Sequence, residues 1–136
     1  MILTDASAFI AICDKGQGNE HLRCVEALQQ ISDSFATTLQ CLTEAMYFLH
    51  KLMGWRGQAL LWQFIESDAF EIYHPSENDM KRMHQLMNKY KDTPMDFADA
   101  SLVAAAESLE TNKIFTLDND FHIYRFNDTW NFKIIP

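Results

Sequence analysis

Acidic side chains recur in four separate segments of the sequence, each beside an apolar run. Two of them, Asp96 and Asp99, lie three residues apart in PMDFADASLVAAAE, residues 94–107. At about 100° per residue on a helix, these two side chains project about 60° apart and share one face. The other acids are Asp5, Glu44, Asp118 and Asp120. Together they offer only oxygen ligands, which are the ligands that Mg²⁺ and Mn²⁺ prefer.

Convergence of these acids would carry a large electrostatic cost. Two ionised carboxylates about 5 Å apart repel by roughly 3 kcal/mol at an effective dielectric constant of about 20. A fold that brings four of them together therefore needs shared protons or a divalent cation. Such an ion polarises a phosphate and lowers the pKa of an attacking water. Metal-assisted hydrolysis of a phosphodiester bond is the reaction that this set of residues suits.

The elements that must position the acids alternate along the chain. Apolar or alternating runs predict strands at 1–4, 34–38, 69–74, 113–117 and 131–135. Amphipathic segments predict helices at 6–13, 20–32, 38–53, 56–67, 76–90 and 94–112. Thr37 and Gln40 fit a capping box at the start of the third helix, and Pro94 is expected to open the sixth. The chain is therefore predicted to be an α/β protein, with a mainly parallel sheet of about five strands in a three-layer α/β/α sandwich.

The order of these elements predicts where two of the acids meet. Asp5 directly follows the first predicted strand, and Asp118 directly follows the fourth. In open α/β sheets, ligands bind beyond the carboxyl ends of the strands. If the first and fourth strands are parallel neighbours, both carboxylates emerge at that edge of the sheet.

Two further acids lie on predicted helices. Asp99 borders an apolar stripe that includes Leu102, so we expect it to point toward the sheet. Glu44 lies opposite the main apolar stripe of its helix, but it shares its side with Phe48 and Trp55. We therefore expect this helix to be buried on both sides, with Glu44 requiring a partner or a ligand.

Taken one at a time, each acid also fits an ordinary structural role. Asp5 and Asp96 fit helix caps, and Asp99 fits a first-turn acid that is stabilised by the helix dipole. Glu44 fits a solvent-facing glutamate, and residues 118–120 fit a turn. Convergence of several acids at one place is what favours a metal site over these separate roles.

Composition narrows the class of protein. At 136 residues and 48% hydrophobic, the chain is long enough for one domain with a full core, which is predicted to span residues 1–136. Three cysteines and five scattered histidines show no zinc-site spacing, so buried, reduced thiols are expected. No apolar run approaches the length of a membrane span, which leads us to expect a cytoplasmic protein without a membrane partner. The formal net charge of −8 argues against a broad electrostatic grip on nucleic acid and favours a cation site or a basic partner.

The four acidic segments, in this order, resemble the four motifs of PIN-domain ribonucleases, and more narrowly the toxins of VapBC-type toxin–antitoxin pairs. The segments are ILTDASAFIAI, TLQCLTEAMYFL, MDFADASLVAAAE and FTLDNDF. The resemblance implies a PIN-like fold in which Asp5, Glu44, Asp99 and Asp118 form a catalytic quartet that binds Mg²⁺ or Mn²⁺. It adds Asp96 and Asp120 as auxiliary metal ligands, with the hydroxyls of Ser7 and Thr116 in support.

The same resemblance implies an endoribonuclease that acts on tRNA or ribosomal RNA. It further implies a homodimer and a small cognate antitoxin that blocks the acidic site. Two alternatives stay open at this point. One is a non-catalytic binding module with the same fold. The other is an acid-rich α/β phosphatase with Asp5 as nucleophile, although Ser7 stands where many such enzymes have a second aspartate.

Overall fold

The computed structural model describes residues 1–136. The strands are β1 (Ile2–Thr4), β2 (Phe35–Thr38), β3 (Glu71–Tyr73), β4 (Lys113–Phe115), β5 (Arg125–Phe126), β6 (Trp130–Asn131) and β7 (Lys133–Ile135). The helices are α1 (Ala6–Cys13), α2 (Asn19–Gln30), α3 (Leu39–Met53), α4 (Trp55–Glu66), α5 (Glu77–Lys89) and α6 (Phe97–Ser108). Short 3₁₀ turns are present at Lys15–Gln17 and Asn119–His122.

Five strands form one parallel sheet in the order β3, β2, β1, β4, β7. These are the five strands predicted from the sequence, and β1 lies at the centre between β2 and β4. The small antiparallel hairpin of β5 and β6 is not predicted, because strands of two residues are too short to show alternation.

Helices cover both faces of the sheet, which confirms the three-layer α/β/α arrangement. Alternation along β1 places Leu3 on one face and Ile2 on the other. Helices α5 and α6 pack on the face of Leu3, together with Leu102. Helices α1 and α2 pack on the opposite face, and α3 and α4 extend that layer through Leu49 and Leu61.

Helix α6 is buried along almost its whole length, from Ala98 to Ala106. Its alanines allow it to lie close to the sheet, and a helix that is apolar all round is expected to be buried in this way. Helix α6 places Asp99 inside the protein, and the residue as a whole is only 6% exposed.

A sharp corner joins α3 to α4. Gly54 ends α3 with a φ of 65°, a left-handed conformation that favours glycine. Gly57 follows at the close approach of the two helices, where an added Cβ would lie 3.0 Å from the carbonyl oxygen of Leu49. The two glycines together let α4 fold back against α3.

The structure corrects two predicted helix starts. Thr38 caps α3 by accepting a hydrogen bond from the N–H of Cys41, whereas the hydroxyl of Thr37 donates to the carbonyl oxygen of Thr4. The predicted capping box of Thr37 with Gln40 is therefore wrong by one residue, because the Thr37 hydroxyl is hydrogen-bonded to the neighbouring strand β1. Helix α6 begins at Phe97 rather than at Pro94.

The three cysteines are free and buried, as expected from their number and spacing. No helix here combines the length and the apolar character that crossing a bilayer requires.

Candidate active site

The ends of β1 and β4 bring Asp5 and Asp118 to one edge of the sheet. The two strands are parallel neighbours with Thr4 opposite Phe115, and the N–H of Asp5 donates to the carbonyl oxygen of Phe115 at 3.0 Å. This is the arrangement predicted from the order of the elements. Asp5 also occupies the N-cap position of α1, but its side chain makes no capping hydrogen bond, so the carboxylate is free for another role.

Two hydroxyl groups fix the buried carboxylate of Asp5. The hydroxyls of Ser7 and Thr116 both donate to its Oδ2, at 2.7 and 2.8 Å. Each hydroxyl oxygen in turn accepts a backbone N–H, from Leu117 at 3.0 Å and from Asp118 at 2.9 Å. Because each hydroxyl has one hydrogen and both are directed at Oδ2, the carboxylate is held rigidly and supported in its charged form.

Three carboxylates form the tightest acidic cluster. Asp99, Asp118 and Asp120 each offer a ligand atom, and these atoms all lie within 4.8 Å of one another. Asp118 accepts the N–H of Asp120 at 2.9 Å, which fixes the turn that carries both residues. The residues come from the start of α6 and from the turn after β4, so only the folded chain brings them together.

Tyr124 holds Asp99 from the side of the core. Its hydroxyl donates to Oδ2 of Asp99 at 3.0 Å, and the tyrosine is completely buried. Tyr124 is not predicted from the sequence, because a tyrosine in an irregular segment shows no periodic pattern. Its position shortly after Asp120 is the only signal that the sequence offers.

Asp96 caps helix α6, which is one of the two roles predicted for it. Its Oδ1 accepts the N–H of Asp99 at 2.7 Å, and the side chain lies at the exposed N-terminus of α6. It is outside the tight cluster, but its charge contributes to the raised pKa values of Asp99, Glu44 and Asp120. The structure therefore places Asp96 beside the cluster as a cap.

Glu44 reaches the same region from α3. It is half-buried, and its burial, followed by the charges of Asp96 and Asp5, raises its pKa to about 7. The expectation that its helix is buried on both sides is wrong, because Phe48 is 40% exposed and Trp55 is 67% exposed. Both aromatic residues lie on a surface of α3 and α4 that faces solvent.

The pKa values of Asp99, Asp5 and Asp120 are all raised. Burial, followed by the charges of Asp96 and Asp5, raises the pKa of Asp99 to about 8. Burial raises the pKa of Asp5 against the opposing effect of its two hydroxyl donors, and burial with the charge of Asp118 raises that of Asp120. These directions agree with a group of carboxylates that cannot all ionise at neutral pH without a compensating charge.

No basic side chain supplies that charge. The ion pairs of the structure involve other acids, namely Asp33, Glu107 and Asp128. The donor set of the cluster consists of carboxylate oxygens alone, which is the chemistry that hard divalent cations select. The residues present therefore fit Mg²⁺ or Mn²⁺.

Comparison with known proteins identifies the family of this chain. A family model described as PIN domain matches residues 2–127. The chain therefore belongs to the PIN domain family. No curated protein matches the sequence significantly.

Several solved structures share the fold. One is the Mycobacterium tuberculosis toxin VapC20, described as cleaving the sarcin–ricin loop, with a TM-score of 0.85, 16% identity, and coverage of 95% of this chain and 98% of that chain. A second is VapBC2 of Rickettsia felis bound to promoter DNA, with a TM-score of 0.70, 15% identity and coverage of 100% of both chains. A third is a toxin–antitoxin complex from Klebsiella pneumoniae, with a TM-score of 0.65, 21% identity, and coverage of 89% of this chain and 90% of that chain.

Proposed function

We propose that this chain is a metal-dependent endoribonuclease that hydrolyses RNA phosphodiester bonds and acts as the toxin of a type II toxin–antitoxin pair. The observation that carries the proposal is the cluster of Asp99, Asp118 and Asp120, within 4.8 Å of one another and without a cationic partner. Membership of the PIN domain family and the likeness to VapC20, described as a toxin that cleaves the sarcin–ricin loop, support the choice of RNA as substrate. We keep the prediction of one PIN-like domain over residues 1–136.

In this proposal the carboxylates have distinct roles. Asp99, Asp118 and Asp120 hold Mg²⁺ or Mn²⁺, and Asp5 and Glu44 complete the acidic site. A bound cation supplies charge for the phosphate oxygens and lowers the pKa of an attacking water. Glu44, half-buried beside these acids, is placed to accept a proton from the attacking water at its carboxylate.

The surrounding groups keep the acids in position. Ser7 and Thr116 hold Asp5 through its Oδ2, and Tyr124 holds Asp99. Asp96 fixes the first turn of the helix that carries Asp99. Hydrogen-bond partners of this kind orient metal ligands and tune their affinity.

A protein partner is part of the proposal. Large apolar side chains are exposed on α3 and α4, among them Phe48, Leu52, Trp55 and Trp62. Exposed apolar surface of this extent favours a protein interface, either with a second copy in a homodimer or with an antitoxin. The toxin–antitoxin complexes among the similar structures support a cognate antitoxin, and the net charge of −8 suits a basic segment of that partner.

RNA cleavage is the decisive test. Purified protein is incubated with tRNA and with ribosomal RNA fragments in Mg²⁺, in Mn²⁺ or in EDTA. We expect discrete cleavage products that require the metal and are nearly abolished in Asp99→Asn. The matched control is Asp92→Asn, which removes the same charge from an exposed loop.

The alternatives predict different results. Cleavage that persists in EDTA would contradict the metal-dependent mechanism. Metal binding without cleavage of any RNA would support the binding module. Formation of a covalent phospho-aspartate at Asp5 would support the phosphatase.

A further inference from the structure

A groove of about 480 Å³ lies beside the acidic site, and most of its lining residues have no role in the proposed mechanism. It runs along one face of α3 and is closed on the other side by the start of α6. Glu44 and Asp96 line the end of the groove that adjoins the acids. The groove and the acidic site are therefore contiguous, and a bound chain can pass directly from one to the other.

Two aromatic rings line the groove and are open to solvent. Tyr47 on α3 is 56% exposed, and Phe97 at the start of α6 is 46% exposed. Aromatic rings exposed beside an acidic site offer faces on which a planar group can stack. Lys51 lies one turn after Tyr47, with its Nζ 5.0 Å from the centroid of the tyrosine ring, and adds a positive charge next to the groove.

Gln40 also lines the groove. Its Oε1 is buried and has no hydrogen-bond partner, although the residue as a whole is only half-buried. A glutamine side chain carries both a hydrogen-bond donor and an acceptor, so it can pair with the edge of a base that enters the groove.

We propose that this groove binds a nucleobase of the RNA strand, adjacent to the phosphate at the acidic site, with the base stacked on Tyr47 and Phe97 and its edge hydrogen-bonded to Gln40. The inference rests on the proposed function, because it identifies the substrate contact of that same site. Unpaired RNA bases are recognised by stacking on aromatic side chains and by hydrogen bonds to their edges.

The test uses short unstructured RNAs that carry a single 2-aminopurine at successive positions, mixed with the protein in Mg²⁺. Stacking quenches the fluorescence of this base, so we expect quenching at one position with the wild-type protein. The quenching is lost in Tyr47→Ala and Phe97→Ala and is retained in Tyr47→Phe, which keeps the ring. Cleavage of the matching RNA shows a KM increased about tenfold for each alanine variant, with a smaller change in kcat.

Matched controls separate this site from the rest of the protein. Trp130→Ala removes an exposed aromatic residue outside this groove, on β6, and leaves quenching and KM unchanged. Gln40→Ala removes the amide and raises the KM for the same RNA, whereas quenching at the same position is retained because both rings remain. Circular dichroism melting curves verify that the variants remain folded.

The possible failures are distinguishable. Wild-type protein that quenches the probe but cleaves no RNA contradicts the proposed function and supports the base site. Cleavage with unchanged KM and quenching in both alanine variants overturns the base site while the nuclease function stands. That second result would assign the groove to a protein partner.

Discussion

Replacement of Asp99 by asparagine is expected to stabilise the metal-free protein, and the effect is expected to depend on pH. The pKa of Asp99 in the folded protein is about 8, against an ordinary value of 3.8. The folded state therefore binds the proton more tightly than the unfolded state does. Its unfavourable contribution is absent below about pH 4 and grows as the pH rises toward 8.

The size of the effect follows from this difference in proton affinity. A tenfold difference in proton affinity corresponds to roughly 1.4 kcal/mol. The raised pKa of Asp99 therefore lowers the free energy of unfolding by at most ~5 kcal/mol at pH 8 and by ~2 kcal/mol at pH 5. Asparagine recovers only part of this, because its amide is still a buried polar group beside Tyr124. We expect a gain of about 2 kcal/mol at pH 8, or about 6 °C in Tm for a domain of this size, and less than about 1 kcal/mol at pH 5.

Differential scanning calorimetry in EDTA measures this gain for Asp99→Asn at both pH values. Asp92→Asn is the control, and no comparable change is expected for this exposed residue. Addition of Mg²⁺ or Mn²⁺ stabilises the wild type and has much less effect on Asp99→Asn, because binding to the folded state raises its stability. An Asp99→Asn protein that is less stable than wild type at pH 8, or whose advantage is equal at pH 5, would refute the repulsion on which the metal site rests.

Three further predictions concern the groups around the site and the core. The double variant Ser7→Ala, Thr116→Val lacks both hydroxyl donors to Asp5. Calorimetric titration is expected to show Mn²⁺ binding weakened by about tenfold or more, and wild-type affinity would argue against a role of the two hydroxyls in metal binding. Arg82→Ala removes the two hydrogen bonds, of 2.8 and 3.0 Å, that the guanidinium donates to the carboxylate of Glu107. We expect urea unfolding at low salt to show a free energy of unfolding lower by about 2 kcal/mol, and an equal loss at high salt would exclude an ionic origin. Leu61→Ala opens a cavity at a fully buried position and costs about 3 kcal/mol in the same assay, whereas a loss below about 1 kcal/mol would show that α4 repacks.

The order of elements was predictable because it depends on local patterns. The strand of residues 2–4 and the buried helix of residues 97–108 are short apolar segments whose ends are marked by Asp5 and Asp96. The capping role of Asp96 follows from its place at the start of that helix. Meeting of Asp5 and Asp118 at one edge was also predictable, since it requires only that their two strands be parallel neighbours.

Details of the site depended on contacts between distant residues. The exposure of Phe48 and Trp55 could not be predicted, because an apolar side of a helix is the same in sequence whether it faces a core or a partner. The tight cluster contains Asp120 and not Asp96, because the turn after β4 directs Asp120 toward Asp99. Thr38 rather than Thr37 caps α3, because the hydroxyl of Thr37 donates to the carbonyl oxygen of Thr4 in β1.

The sequence by itself determined the layout of strands and helices and the six acidic residues available for chemistry, since periodicity and residue type are local properties of the chain. Tertiary structure alone decided which of those acids lie within 4.8 Å of one another, that Tyr124 supports them, and that Gln40, Tyr47 and Phe97 line one groove. These relations join residues far apart along the chain. They are set by the packing of α3 and α6 against the sheet, which no local pattern encodes.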